Sequence, residues 1–225
     1  MSEVTLSGPR HEPSSGGPAK ELIVMLHGLG ADGQDLIGLA PYFANVLPNA
    51  AIVSPDAHQP CDMAPMGRQW FSLQSRDQDL ILDGIQKAAP IIEAYIAKEM
   101  AHYNLSADRV LLMGFSQGAM MTYHIGFRQK EPFAGMMCFS GMLVASELLK
   151  DELKSRCPVL AIHGDVDEVV PPEALPAAVK TMMEHEITVY QQMISKLGHG
   201  IDENGIRMGV GFAMETLGYS PLEEA

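Results

Sequence analysis

A serine flanked by glycines lies between a pattern typical of a buried strand and a pattern typical of a helix. Ser116 is the centre of Gly-x-Ser-x-Gly, with an apolar run before it (Val110–Met113) and apolar residues at helical spacing after it (Ala119, Met120, Tyr123, Ile125 and Phe127). Only a sharp strand-to-helix turn fits so short a connection, and such a turn strains the serine backbone and exposes its hydroxyl. The helix N-terminus that follows favours negative charge, which suits a developing oxyanion. The stretch predicts a nucleophile, although a serine between two glycines is by itself also ordinary turn chemistry.

A nucleophilic serine needs a base, and the histidines of this chain compete for that role. On a parallel sheet of this type the expected chain order is serine, acid, histidine. Of the 8 histidines, His185 and His199 lie downstream of the candidate acids. His185 falls in a helical stretch before a strand and is interpreted as a surface residue. His199 stands between two glycines after a strand pattern, where its ring can reach Ser116, so we predict His199 as the base.

The base needs a carboxylate that holds it in the correct tautomer, and two aspartates qualify. Asp165 and Asp167 both follow the apolar run Val159–Ile162. Ligands of parallel sheets bind beyond the carboxyl ends of the strands, so both residues are at the right edge. One of the pair can instead satisfy its own turn. Spacing alone leaves the choice between them open.

Two backbone N–H groups are the expected stabilisers of the oxyanion. One comes from the residue after the nucleophile, here Gln117, and the other from the loop after an earlier strand. Leu29 follows the apolar run Leu22–Leu26 and stands between two glycines that let the backbone approach a substrate. We therefore expect Leu29 and Gln117 to form an oxyanion hole, although the glycines alone also fit a plain turn.

Strand and helix patterns alternate along the whole chain and position these residues. Alternation of this kind predicts an α/β fold with a mostly parallel central sheet, helices on both faces and no large cap domain. We expect a single domain over residues 1–225, with a loosely structured segment over residues 1–20 in which Val4–Leu6 begins an edge strand. Asp77–Tyr103 reads as a long helix that Pro90 kinks or splits. The other predicted strands are Ala50–Ser54, Phe133–Phe139 and Ile187–Ile194, and the other predicted helices cover residues 35–47, 145–154, 172–186 and 201–217.

Composition excludes several classes of protein. A net charge of −13 with no basic stripe argues against nucleic acid as a partner and against attraction to an anionic membrane surface. Three cysteines without CxxC spacing predict neither a disulfide framework nor a zinc site. His27 and His163, each followed by glycine at a strand end, are interpreted as structural residues rather than metal ligands. Residues 1–20 lack the apolar core of a signal peptide, and no stretch is long enough to span a membrane, so we expect a cytoplasmic protein without stable membrane insertion.

Four motifs together resemble the phospholipase/carboxylesterase family of α/β-hydrolases, which includes the acyl-protein thioesterases. They are Leu26–Gly33, Gly114–Gly118, His163–Pro171 and Gly198–Gly200, in the family's order and across nearly the whole chain. The resemblance implies Ser116, Asp167 and His199 as the catalytic triad, and so decides between the two aspartates. It also implies Leu29 and Gln117 as oxyanion donors and no cofactor. A homodimer would fit the family as well.

The expected activity is that of a serine carboxylesterase. It would hydrolyse short- to medium-chain acyl esters through an acyl-enzyme intermediate. The resemblance places Trp70 near the acyl pocket, and we expect a shallow apolar cleft with Leu29, Trp70, Phe71 and Val169 as its walls. An acyl-protein thioesterase or a lysophospholipase is the alternative, with a small-molecule ester or thioester as substrate. A non-catalytic binding protein on the same scaffold is the rival from another class.

Overall fold

A computed structural model describes residues 4–219, which form one seven-stranded sheet and a small two-stranded sheet. The large sheet has the order β1-β3-β2-β6-β7-β8-β9, parallel throughout except for the antiparallel pair β1–β3. The small sheet pairs β4 with β5. The strands are β1 Arg10–His11, β2 Glu21–Leu26, β3 Ala50–Val53, β4 Gln59–Pro60, β5 Arg68–Gln69, β6 Val110–Phe115, β7 Gly135–Phe139, β8 Val159–Gly164 and β9 Val189–Ile194.

Helices cover both faces of the large sheet, because the central strands are apolar on both sides. In β2, Leu22, Val24 and Leu26 pack in a core with α3 and α4, while Ile23 and Met25 pack in a second core with α2 and α7. A third core lies between α4, α6 and the strands β7 and β8. The helices are α1 Gly33–Ile37, α2 Ala40–Ala44, α3 Gln78–Tyr103, α4 Gln117–Arg128, α5 Leu149–Glu152, α6 Ala174–Glu184 and α7 Glu203–Thr216. The α/β-hydrolase architecture without a large cap is therefore confirmed.

Pro90 does not split α3, which runs unbroken for 26 residues. A proline inside a helix removes one hydrogen bond and costs about 3 kcal/mol. Pro90 faces solvent, however, and the apolar residues on either side of it pack on the same core, among them Ile85 and Ile92, both fully buried. Burial of several such side chains, at roughly 1.5–3 kcal/mol each, outweighs the lost bond.

The N-terminal edge strand differs from the expectation. Val4–Leu6 forms no strand; Leu6 instead buries its side chain in the core. The edge strand is β1, whose Arg10 pairs with Val53. The Arg10 guanidinium contacts the buried carboxylate of Glu99 at 3.0 Å, which fixes the strand against α3.

The segment between β3 and α3 contains the two short strands β4 and β5. Among residues 4–219 no helix is both long and apolar enough to cross a membrane.

Candidate active site

Ser116 occupies the sharp turn between β6 and α4, with a backbone φ of 53° and ψ of −116°. A positive φ is strained for a residue with a side chain, and this confirms the expected conformation. The turn brings the strand, the helix and β2 close together. A Cβ on Gly114 would overlap the Gly118 carbonyl oxygen, and a Cβ on Gly118 would overlap that of Leu26. Glycine is therefore required at both positions for the turn to form.

The structure brings Ser116, His199 and Asp167 into one hydrogen-bonded chain. His199 Nε2 lies 2.8 Å from Ser116 Oγ, and His199 Nδ1 lies 2.7 Å from Asp167 Oδ2. A carboxylate only accepts hydrogen bonds, so Nδ1 carries the hydrogen and Nε2 is free to accept the proton of the serine hydroxyl. The three residues come from the ends of different elements, separated by 83 and 32 positions along the chain.

Asp167 is held in its ionised form. Burial by itself would raise the pKa of this carboxyl group, but the hydrogen bond from His199 and those from the N–H groups of Val170 and Val169 outweigh it, and the pKa lies below its ordinary value. The two N–H groups donate to Oδ1 at 2.9 and 2.8 Å. His163 Nε2 lies 3.3 Å from Oδ2, the oxygen that also contacts His199.

Asp165, the other candidate acid, has a different task. Its Oδ1 accepts from the backbone N–H of Lys196 at 2.5 Å, and its own N–H donates to the Ile194 carbonyl at 3.0 Å. These contacts hold the loop that carries His199. Only Asp167 contacts the imidazole, so the geometry separates two residues that spacing could not.

The loop after β2, which carries Leu29, lies directly beside the nucleophile. A Cβ on Gly28 would stand 3.4 Å from the Cβ of Ser116. Gln117, the first residue of α4, has no intrahelical partner for its N–H. The structure therefore brings both expected oxyanion donors to the same edge of the sheet as Ser116.

The two histidines that were interpreted as structural, His27 and His163, both bond to the backbone. His27 Nδ1 donates to the Gly28 carbonyl at 2.7 Å, and its Nε2 accepts from the Ala57 N–H at 3.0 Å. Burial lowers the pKa of His27, which keeps the ring neutral. His163 Nε2 faces the Val170 carbonyl at 3.0 Å as well as Asp167. Within the described part of the chain, no group of three or more metal-ligating side chains converges.

The expected pocket walls divide into two groups. Val169 is 66% exposed and Leu29 is half-buried, so both present surface at the site. Trp70 and Phe71 are only 0% and 1% exposed, and the structure differs here from the expected cleft. Their aromatic side chains belong to the core shared with α3 and α4. Burial of two large apolar groups in this core explains the difference.

The Gln117 side chain, unlike its backbone N–H, was not among the groups expected at the site. It is fully buried and bonds to the backbone of Trp70 and Phe71. The available signal was the position of this glutamine between the nucleophile and Gly118, at the start of a buried helix. A buried side-chain amide needs hydrogen-bond partners, so contacts to a neighbouring segment were to be expected there.

Comparison with known proteins identifies the family of this chain. The family model described as Phospholipase/Carboxylesterase matches residues 13–212. The chain belongs to the phospholipase/carboxylesterase family. It is a carboxylic ester hydrolase, as the resemblance implied.

Named relatives include an esterase and a thioesterase. The chain is 26% identical to esterase YpfH of Escherichia coli over 90% of its own length and 84% of that protein. It is 30% identical to acyl-protein thioesterase 1 of Kluyveromyces lactis over 68% of its length and 72% of that protein. The crystal structure of esterase PE8 superimposes with a TM-score of 0.91 at 37% identity, covering 95% of this chain and 100% of that one.

Proposed function

We propose that the protein is a serine carboxylesterase that hydrolyses short- to medium-chain acyl esters through a Ser116–His199–Asp167 triad. The observation that carries this proposal is the continuous chain of hydrogen bonds at 2.8 and 2.7 Å that joins the three side chains. The strained turn at Ser116 and the ionised Asp167 are the conditions that such a triad needs. A binding protein without turnover would have no need for either.

In the first half of the reaction, Ser116 Oγ forms a bond to the ester carbonyl carbon while His199 Nε2 takes its proton. The carbonyl oxygen becomes an oxyanion, which the N–H groups of Leu29 and Gln117 stabilise. The imidazolium, paired with Asp167, then gives its proton to the leaving oxygen as the carbon–oxygen bond breaks. Water repeats the sequence on the acyl-enzyme: His199 takes one proton from it, and the proton returns to Ser116 Oγ as the acid leaves.

A small apolar cavity supports a short acyl group. It has a volume of about 70 Å³ and is lined by Met142, Leu143, Ser146, Ala174, Ala177 and Ala178. Met142 follows Gly141, where an added Cβ would stand 3.1 Å from the Ser116 carbonyl oxygen. The residue before this lining thus packs against Ser116, and we propose the cavity as the acyl site in place of the buried Trp70 and Phe71. An acyl-protein thioesterase or lysophospholipase is the second candidate, favoured by the similarity to the yeast thioesterase and by the family's description.

The test is a substrate panel assayed with wild-type protein and with Ser116→Ala. p-Nitrophenyl esters of rising chain length are compared with an acyl-CoA, an S-acylated peptide and a lysophospholipid. We expect the highest kcat/KM with the shorter esters, and a loss of at least about 10⁴-fold in kcat in the variant. A preference for the acylated peptide or the lysophospholipid would select the second candidate. Turnover near the wild-type level in Ser116→Ala would remove the serine from its role.

A further inference from the structure

A short stretch around β5, residues Gly67–Phe71, connects the loop that carries Leu29 to the N-terminus of α4, where Gln117 lies. We call it the bridging segment. On one side it bonds to the loop after β2: the Gly30 N–H donates to the Arg68 carbonyl at 2.8 Å, and the Arg68 N–H donates to the Ala31 carbonyl at 2.8 Å. Gly67 packs so tightly on this loop that a Cβ there would overlap the Gly30 carbonyl oxygen. The segment and the loop are thus fixed to each other.

Trp70 bonds to both sides at once. Its indole Nε1 donates to the His27 carbonyl at 2.9 Å, two residues before Leu29. Its backbone N–H donates to Gln117 Oε1 at 2.8 Å, and the Gln117 side-chain amide donates in turn to the Phe71 carbonyl at 2.7 Å. The Trp70 and Gln117 side chains are fully buried. In a dry environment these bonds are strong, and an unpaired group would be costly.

We propose that Trp70 is a positioning residue for the oxyanion hole. Through its two N–H groups it sets the distance between the loop of Leu29 and the N-terminus of α4, where Gln117 lies. This inference rests on the proposed function, since it concerns the same reaction. Oxyanion donors act only within about 2.7–3.1 Å of the oxygen they stabilise. A small shift of the Leu29 loop away from the N-terminus of α4 therefore weakens the hydrogen bond from one of the two donors. With 0% of its surface exposed, Trp70 does not contact the substrate.

The decisive variant is Trp70→Phe, which keeps an aromatic ring in the core and deletes the indole donor to His27. Loss of a whole oxyanion donor costs about 10²–10³-fold in kcat, so displacement of one should cost about tenfold. We expect that loss for a p-nitrophenyl ester, with KM within about twofold because substrate binding is unaffected. The inhibition constant of an alkyl trifluoromethyl ketone, whose adduct with the serine carries an oxyanion, should rise in parallel with the loss of kcat.

Gln117→Met is the second variant, because it removes both side-chain bonds to the bridging segment and keeps the backbone N–H. It should show the same pattern. Phe212→Leu, a change in the buried core formed with α7, is the matched control: it should lower the melting temperature and leave kcat and the inhibition constant unchanged.

The outcomes separate this inference from the proposed function. If wild-type turnover does not depend on Ser116, the proposed function fails and this inference falls with it. If turnover depends on Ser116 but Trp70→Phe folds and keeps wild-type kcat, only the positioning role is refuted. A raised KM at unchanged kcat would make Trp70 a substrate contact and also refute it. If neither Trp70→Phe nor Gln117→Met folds, the hydrogen bonds serve stability alone and the positioning role is refuted.

Discussion

Replacing Asp167 with asparagine should stop turnover while preserving the fold, because the site dictates how the new amide must lie. Oδ1 accepts from the N–H groups of Val169 and Val170 at 2.8 and 2.9 Å, so the oxygen of the asparagine has to occupy that side. Its NH₂ group then faces His199 Nδ1, where the carboxylate accepts a hydrogen bond at 2.7 Å. Nδ1 must become the acceptor, which moves the ring hydrogen to Nε2. In that tautomer Nε2 cannot take the proton of Ser116.

A wrong tautomer of this kind costs about 10⁴-fold in kcat, or roughly 5 kcal/mol in the activation free energy. The assay is steady-state hydrolysis of a short p-nitrophenyl ester, with the melting temperature measured on the same preparation. We expect KM to change by less than about threefold, since Asp167 does not contact the substrate.

Asp165→Asn is the matched control, since it keeps the oxygen that accepts from the Lys196 N–H. It should retain kcat within about threefold. Equal losses in the two variants, or a larger loss in Asp165→Asn, would refute the assignment of the carboxylate. Near-normal turnover in a folded Asp167→Asn protein would refute the tautomer argument itself.

Three further predictions concern stability. Gly118→Ala should lower the free energy of unfolding by about 1–3 kcal/mol and should also lower kcat, because the added Cβ overlaps the Leu26 carbonyl oxygen and the turn must shift. Thermal unfolding and ester hydrolysis measured on one sample test this. Arg10→Met should lower the free energy of unfolding, measured in urea, by about 2–3 kcal/mol, because it leaves the Glu99 carboxylate buried without its partner. An unchanged unfolding midpoint would contradict this. Burial, together with a nearby arginine, lowers the pKa of His124 from 6.5 to about 4. Between these two pH values the unfolded chain therefore binds a proton at this histidine that the folded chain does not. The free energy of unfolding should fall by up to about 3 kcal/mol as the pH drops through this window. His124→Gln should remove that part of the pH dependence.

The parallel sheet could be predicted from the sequence because its signals are local and strong. Runs such as Leu22–Leu26 and Val110–Met113 are apolar at every position and short, which is typical of strands buried on both faces. The sheet then brings the loops at its carboxyl edge together, which is why Ser116, His199 and the pair Asp165 and Asp167 could be selected before any geometry was known. The choice of Asp167 over Asp165 came only with the family resemblance, and the hydrogen bonds now supply its physical basis.

What the sequence did not reveal depends on contacts between distant segments. The pairing of Arg10 with Val53 joins a two-residue strand to β3, too short for any periodicity to show. The course of α3 through Pro90 depends on packing against the sheet, which local propensity does not include. Trp70 was expected as a pocket wall because the family resemblance places it near the acyl pocket. Its burial, and its bonds to His27 and Gln117, become visible only when three segments meet.

The formation of a covalent bond to Ser116 is the central claim, and active-site labelling tests it most directly. The folded protein is treated with a fluorophosphonate, which replaces its fluorine with a nucleophilic serine oxygen, and the adduct is located by peptide mass spectrometry. We predict one phosphonyl group per chain, on Ser116, with no adduct in Ser116→Ala and slow labelling in His199→Ala. An adduct on another residue, or a folded wild-type protein that stays unlabelled, would contradict the account.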